Sequence, residues 1–139
     1  MVTIPYGTEM NERLGSYQDR IWEAESLLNN GTITSGVFEF GKVQGEVELA
    51  IIANTEITIL DSYALTVEVF YDDAEDGAFT NSYVAKAFLA SGSSIVISQG
   101  DEFALSTPET NIGQYAKVAI TTTGDQTADS VNAKLFRTA

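Results

Sequence analysis

The sequence predicts an antiparallel β-sandwich or barrel of about eight strands, preceded by an N-terminal helical arm. The first observation is a two-residue hydrophobic period. Val47, Leu49, Ile51, Ala53, Ile57 and Ile59 occupy odd positions, and Glu46, Glu48, Asn54, Glu56 and Thr58 even ones. Successive side chains of a strand turn to opposite faces, so this register describes one dry and one wet face, with a bend near Asn54. The second observation is that alternating runs recur to the end of the chain, divided by short turns rich in Gly, Asp, Ser and Pro. The third is a change of period, because apolar residues repeat at helical spacing only before residue 32.

Residues 1–31 form the expected arm. Ser16 and Asp19 have the form of a capping box, and Asn29-Asn30-Gly31 that of a helix stop. Between them Tyr17, Ile21, Ala24 and Leu28 follow at spacings of four, three and four, and Met10 and Leu14 extend the stripe backward. One reading lays this helix over an open end of the sandwich. The other makes it an arm that docks on a neighbouring subunit. Trp22 and Leu27 lie off the stripe and are expected to remain partly exposed, so Met10, Leu14, Tyr17, Ile21, Trp22, Leu27 and Leu28 form a candidate interface. Asn30-Gly31-Thr32 matches a glycosylation sequon, expected to be unused because the opening residues carry no secretion signal.

Residues 32–139 form the expected sandwich domain. Ile33 to Phe40 reads as a strand ending at Gly41. The run from Val47 resumes its parity after a turn at Asp61-Ser62, with Leu65, Val67, Val69 and Tyr71 alternating with Thr66, Glu68, Phe70 and Asp72, and predicts a long hairpin over 47–72. Asp72-Asp73-Ala74-Glu75-Asp76-Gly77 is an acidic turn. It resembles a calcium loop only loosely, because an EF-hand needs an oxygen ligand at Ala74 and a Glu at Tyr83. Phe79 to Ala90 has apolar residues in both phases, so both faces are expected to be partly covered. Ile95–Ser98 and Phe103–Ser106, around Gly100-Asp101, predict a second hairpin. Tyr115–Thr122 and Ala128–Phe136 give the closing strands.

Composition narrows the chemistry. The chain has 139 residues, consistent with one core, and no cysteine. Seven basic and twenty acidic residues give a net charge of −13, which disfavours nucleic acid and anionic membrane surfaces as partners. No segment is long and apolar enough to cross a bilayer as a helix. There is no histidine, which removes Ser-His-Asp systems and nearly every ordinary zinc site. Carboxylate chemistry is left. A glycosidase needs two acids facing each other across a cleft, whereas Asp101 and Glu102 are adjacent, and Asp72, Asp73, Glu75 and Asp76 crowd a turn. The expectation is a non-enzymatic protein without cofactor or metal.

The back half resembles a known family. Gly100 with Phe103 and Leu105, Pro108, Tyr115-Ala116-Lys117-Val118 running into Thr121-Thr122-Thr123-Gly124 and Thr127, and Val131 with Ala133 are similar to the small jelly-roll cement proteins of tailed-bacteriophage heads, of the type found on Bordetella phage. Upstream, Val37-Phe38-Glu39-Phe40-Gly41 resembles their first-strand motif, and Leu65-Thr66-Val67-Glu68-Val69 their central strand. The likeness spans roughly residues 32–138. It departs from the family in a longer N-terminal segment and in acidity. The resemblance implies a jelly-roll fold and a structural virion role, in which homo-oligomeric copies assembled in the host cytoplasm sit on the outer capsid surface and tie neighbouring copies of the major capsid protein together. The alternative is a non-catalytic carbohydrate- or receptor-binding sandwich, with Trp22, Tyr63, Tyr71, Tyr83 and Tyr115 as a stacking platform.

Overall fold

A computed structural model describes residues 20–39, 47–106, 115–124 and 129–137, and over these the protein is all-β with antiparallel pairing throughout. The strands are β1 (Arg20–Ser26), β2 (Gly31–Thr34), β3 (Phe38–Glu39), β4 (Val47–Ala53), β5 (Ile57–Ile59), β6 (Ala64–Asp72), β7 (Asn81–Leu89), β8 (Ile95–Ile97), β9 (Glu102–Ser106), β10 (Tyr115–Thr122) and β11 (Ser130–Arg137). One sheet has the order β1-β11-β4-β9. The second has the order β2-β10-β6-β7, with β3 also on β10, and β5 pairs with β8 as a small separate ribbon.

The hydrophobic period accounts for the core. Leu49, Ile51, Ala53, Val131, Ala133 and Leu135 face inward from the first sheet, and Leu65, Val67, Val69, Ala116, Val118 and Ile120 from the second; all belong to one buried cluster. Each large aliphatic side chain taken out of water there contributes about 1.5–3 kcal/mol. Thr66, Glu68 and Phe70 alternate with the inward residues of β6 and are only half-buried.

Pairing departs from expectation at both predicted hairpins. β4 lies between β11 and β9, whereas β6 lies between β10 and β7, so the two arms of the run over 47–72 belong to different sheets, with β5 of the small ribbon between them. The bend at Asn54 is the reason. The Asn54 N–H donates to the Ser130 carbonyl (3.0 Å), its side-chain amide to Ser130 Oγ (2.8 Å), and Thr55 Oγ1 accepts from the Ser130 N–H (3.1 Å). The chain is thus anchored to the start of β11 and leaves the first sheet through β5. Likewise β8 pairs with β5 and β9 with β4, although the expected turn exists, with Gly100 at φ 90° and the Asp101 N–H on the Ser98 carbonyl. The strand expected over 33–40 is broken at Ser35, whose buried hydroxyl accepts the Val118 N–H (3.0 Å) and so completes the β10 ladder between β2 and β3. β7 is an edge strand with most of its side chains exposed, not the two-sided strand expected.

The helix expected before residue 31 is overturned where the chain is described. Arg20–Ser26 is β1, paired with β11 through Trp22↔Ala133 and Glu25↔Val131. Three residues of β1 advance against two of β11 in that interval, and Ala24, at φ 52°, gives its N–H to Asn132 Oδ1 (2.7 Å). A second register shift precedes Trp22. Such bulges erase the two-residue period and leave a spacing that imitates a helix. Residues 20–31 are therefore paired into the same body as the strands beyond the expected boundary at 31/32.

Candidate interaction surface

The loops 27–30, 60–63, 90–92 and 123–124 meet at one end of the sandwich and are laced together by hydrogen bonds. Asn30 and Gly124 exchange two bonds, Asn30 N–H to the Gly124 carbonyl (3.1 Å) and Gly124 N–H to Asn30 Oδ1 (2.9 Å). Thr122 Oγ1 donates to the Leu28 carbonyl (2.5 Å). Ser62 N–H reaches the Ala90 carbonyl (2.8 Å), Ala90 N–H the Tyr63 carbonyl (2.9 Å), and Gly92 N–H Asp61 Oδ1 (2.7 Å). Ala64 N–H donates to Thr123 Oγ1 (2.8 Å), and Thr123 N–H returns to the Ala64 carbonyl (3.0 Å). Asn30, Ser62, Gly92 and Gly124 all adopt positive φ, which lets each loop reverse tightly.

This end displays apolar side chains. Leu28, Leu60, Tyr63 and Leu89 are 40% to 69% exposed, Tyr63 least and Leu89 most. Acidic residues border them: Asp61 follows Leu60, Glu25 stands near the end of β1, and Glu56, Asp101 and Asp129 lie in the connections at the same end. The described basic residues, Arg20 opposite Lys134 among them, are set back along the strands. Lys117 is opposite Phe70 and Arg137 opposite Val47, towards the far end, and Lys86 and Lys134 lie part-way, opposite Val67 and Ala50.

A second feature, lined by apolar and charged side chains together, runs down the flank formed by β7, β8 and β9. A groove of about 400 Å³ has Phe88, Phe103, Ile95 and Ile97 along it and Lys86 and Asp101 at its margin. The Phe88 and Phe103 rings are 6.1 Å apart and tilted by 60°, and Lys86 Nζ sits 5.4 Å from the Phe88 ring centre. Val84, Val96 and Leu105 on the same three strands are exposed.

The sequence-derived interface residues are dispersed. Met10, Leu14 and Tyr17 lie outside the described residues. Ile21 is half-buried against the core. Trp22 and Leu27, expected to be partly exposed, are 7% and 0% exposed and belong to the chain's own core. Leu28 alone stands out to solvent, and it does so within the loop cluster. Leu60, Tyr63 and Leu89 were not singled out as an interface, since nothing local in the sequence brings positions 28, 60 and 89 together. The aromatic platform does not assemble. Trp22 is buried, Tyr63 is at the loop end, and Tyr71 and Tyr83 form a tilted pair 6.2 Å apart, near the end of β6 that pairs with Tyr115.

The acidic turn is closed by its own first carboxylate. Asp72 Oδ1 accepts the Ala74 N–H (3.0 Å) and Oδ2 the Phe79 N–H (3.2 Å). The bonds from Ala74 and then Phe79 hold the Asp72 carboxyl below the ordinary carboxylate range; burial opposes them, and a still lesser bond from Asp73 adds to them. Phe79, buried at φ 53°, receives Lys117 Nζ 4.8 Å above its ring. A Cβ at Gly77 would run into the Asp72 carboxylate, so glycine is required there while the carboxylate keeps these partners. Among the described residues no three His, Cys, Asp or Glu side chains are grouped to hold a metal ion.

No protein-family profile matches the chain, and no curated protein is similar to it in sequence.

Proposed function

We propose that the protein is a structural, non-catalytic component of a tailed-phage virion, a cement protein that binds the outer face of the head and ties neighbouring major capsid protein subunits together. The observation that carries this reading is the strand order. The orders β1-β11-β4-β9 and β2-β10-β6-β7, the latter with β3 added on β10, support a jelly-roll reading, in which a long antiparallel ribbon is folded across two sheets. Part of the family resemblance lies on its inner strands: Leu65-Thr66-Val67-Glu68-Val69 pairs residue for residue with Thr122 back to Val118, and Val131 and Ala133 lie on β11.

The physical chemistry supports such a role. A cement protein meets one site repeated over a symmetric shell, so modest contacts suffice when copies are linked to one another. A net charge of −13 keeps the free protein from packaged or unpackaged DNA and from indiscriminate self-association.

Sedimentation tests the proposal. The fluorescently labelled chain is mixed with expanded, emptied heads of the tailed phage whose genome encodes it, stripped of decoration. Saturable co-sedimentation at a fixed number of copies per capsomer is the expected result. A chain that stays in the supernatant at micromolar concentration would reject the proposal.

A further inference from the structure

We infer that the loop end of the sandwich is the docking surface, and that it receives an apolar projection ringed by Lys or Arg side chains on the partner protein. The inference rests on the capsid-decoration reading, and the partner is accordingly the outer surface of the major capsid protein. Three observations lead to it. Leu28, Leu60, Tyr63 and Leu89, from separate parts of the chain, each expose large apolar area at this one end of the sandwich, which a solvated loop cluster does not need. Their backbones are already fixed by the bonds between Asn30 and Gly124, Ala90 and Tyr63, and Gly92 and Asp61, so little loop entropy is lost on contact.

Charge selects the occupant. Glu25, Glu56, Asp61, Asp101 and Asp129 lie around this end; Lys117 and Arg137 are towards the opposite one, which also carries the acidic turn of Asp72, Asp73, Glu75 and Asp76. A second copy of the chain docked here end to end would bring acid against acid. A partner with basic residues around an apolar centre meets the apolar patch and its border together and is steered towards it. The flank groove is less suited, because Lys86 already lies over the Phe88 ring and shares the margin with Asp101.

The test compares variants in the head-binding assay, each first checked for an unchanged melting temperature. Leu60→Ser/Leu89→Ser removes apolar area at the loop end, and Leu28→Ser does so independently; Val84→Ser/Val96→Ser is the flank control. The expected result is a loss of at least about 30-fold in head affinity for the double loop-end variant, a smaller loss for Leu28→Ser, and a change under about threefold for the flank control. Raising NaCl from about 0.05 to 0.5 M should weaken wild-type binding about tenfold or more, as interfacial charges are screened. Loop-end variants that bind like wild type while the wild-type chain binds heads overturn the docking surface and leave the capsid reading intact. Binding unaffected by salt overturns the basic partner surface. Failure of the wild-type chain to bind heads overturns both.

Discussion

Trp22→Ala will destabilise the protein by about 3–5 kcal/mol, the cost of deleting a large side chain from a packed core. Trp22 is 7% exposed and paired with Ala133 on β11, itself fully buried beside Val131. β1 closes the side of the first sheet, and its indole belongs to the one buried cluster that also holds side chains of the second. Chemical denaturation, fitted with a common slope for wild type and variant, measures the change. If Trp22 belonged to a separable docking arm, the same substitution would shift stability by less than about 0.5 kcal/mol and act on assembly alone.

Gly124→Ala will cost about 2–4 kcal/mol. Gly124 has φ 87°, where an L side chain is strained by about 1–2 kcal/mol. The added Cβ would also stand 2.8 Å from Tyr63 Cγ, and the ring must move or the loop must shift, at about 1–3 kcal/mol. The two effects act on one contact and are not fully additive. Gly36→Ala is the control, because Gly36 lacks positive φ and a Cβ there meets nothing within 4 Å. Thermal melting of both variants separates them: a Gly124→Ala protein as stable as Gly36→Ala would remove the basis for a rigid loop end.

The strands were more legible than their partners. Alternation over Val47–Ile59 and Leu65–Val69 identified which side chains face the core, because in a sandwich the inner faces of both sheets answer to the same period. For that reason parity cannot tell a hairpin from a crossing between sheets. The Asn54 to Ser130 bonds that decide the matter link residues 76 apart. At Arg20–Ser26 the opposite failure occurred: two bulges broke the alternation, and Ile21, Ala24 and Leu28 fell at helical spacing without forming a helix. Turn chemistry was read well at Asp61-Ser62 and Gly100, where local hydrogen bonds suffice. The loop-end surface was illegible for a topological reason. Leu28, Leu60 and Leu89 share one end of the sandwich only because β2 and β6 begin there and β7 finishes there.

Cross-strand backbone NOEs test the central claim, the division of the chain between two sheets, most directly. The structure predicts contacts from β4 to β11 and β9, with Ile52 opposite Asn132, and from β6 to β10 and β7, with Glu68 opposite Ala119, together with contacts from Trp22 to Ala133. A continuous set of contacts aligning Val47–Ala53 against Ala64–Asp72 as one antiparallel hairpin, or helical contacts through Arg20–Ser26, would contradict it.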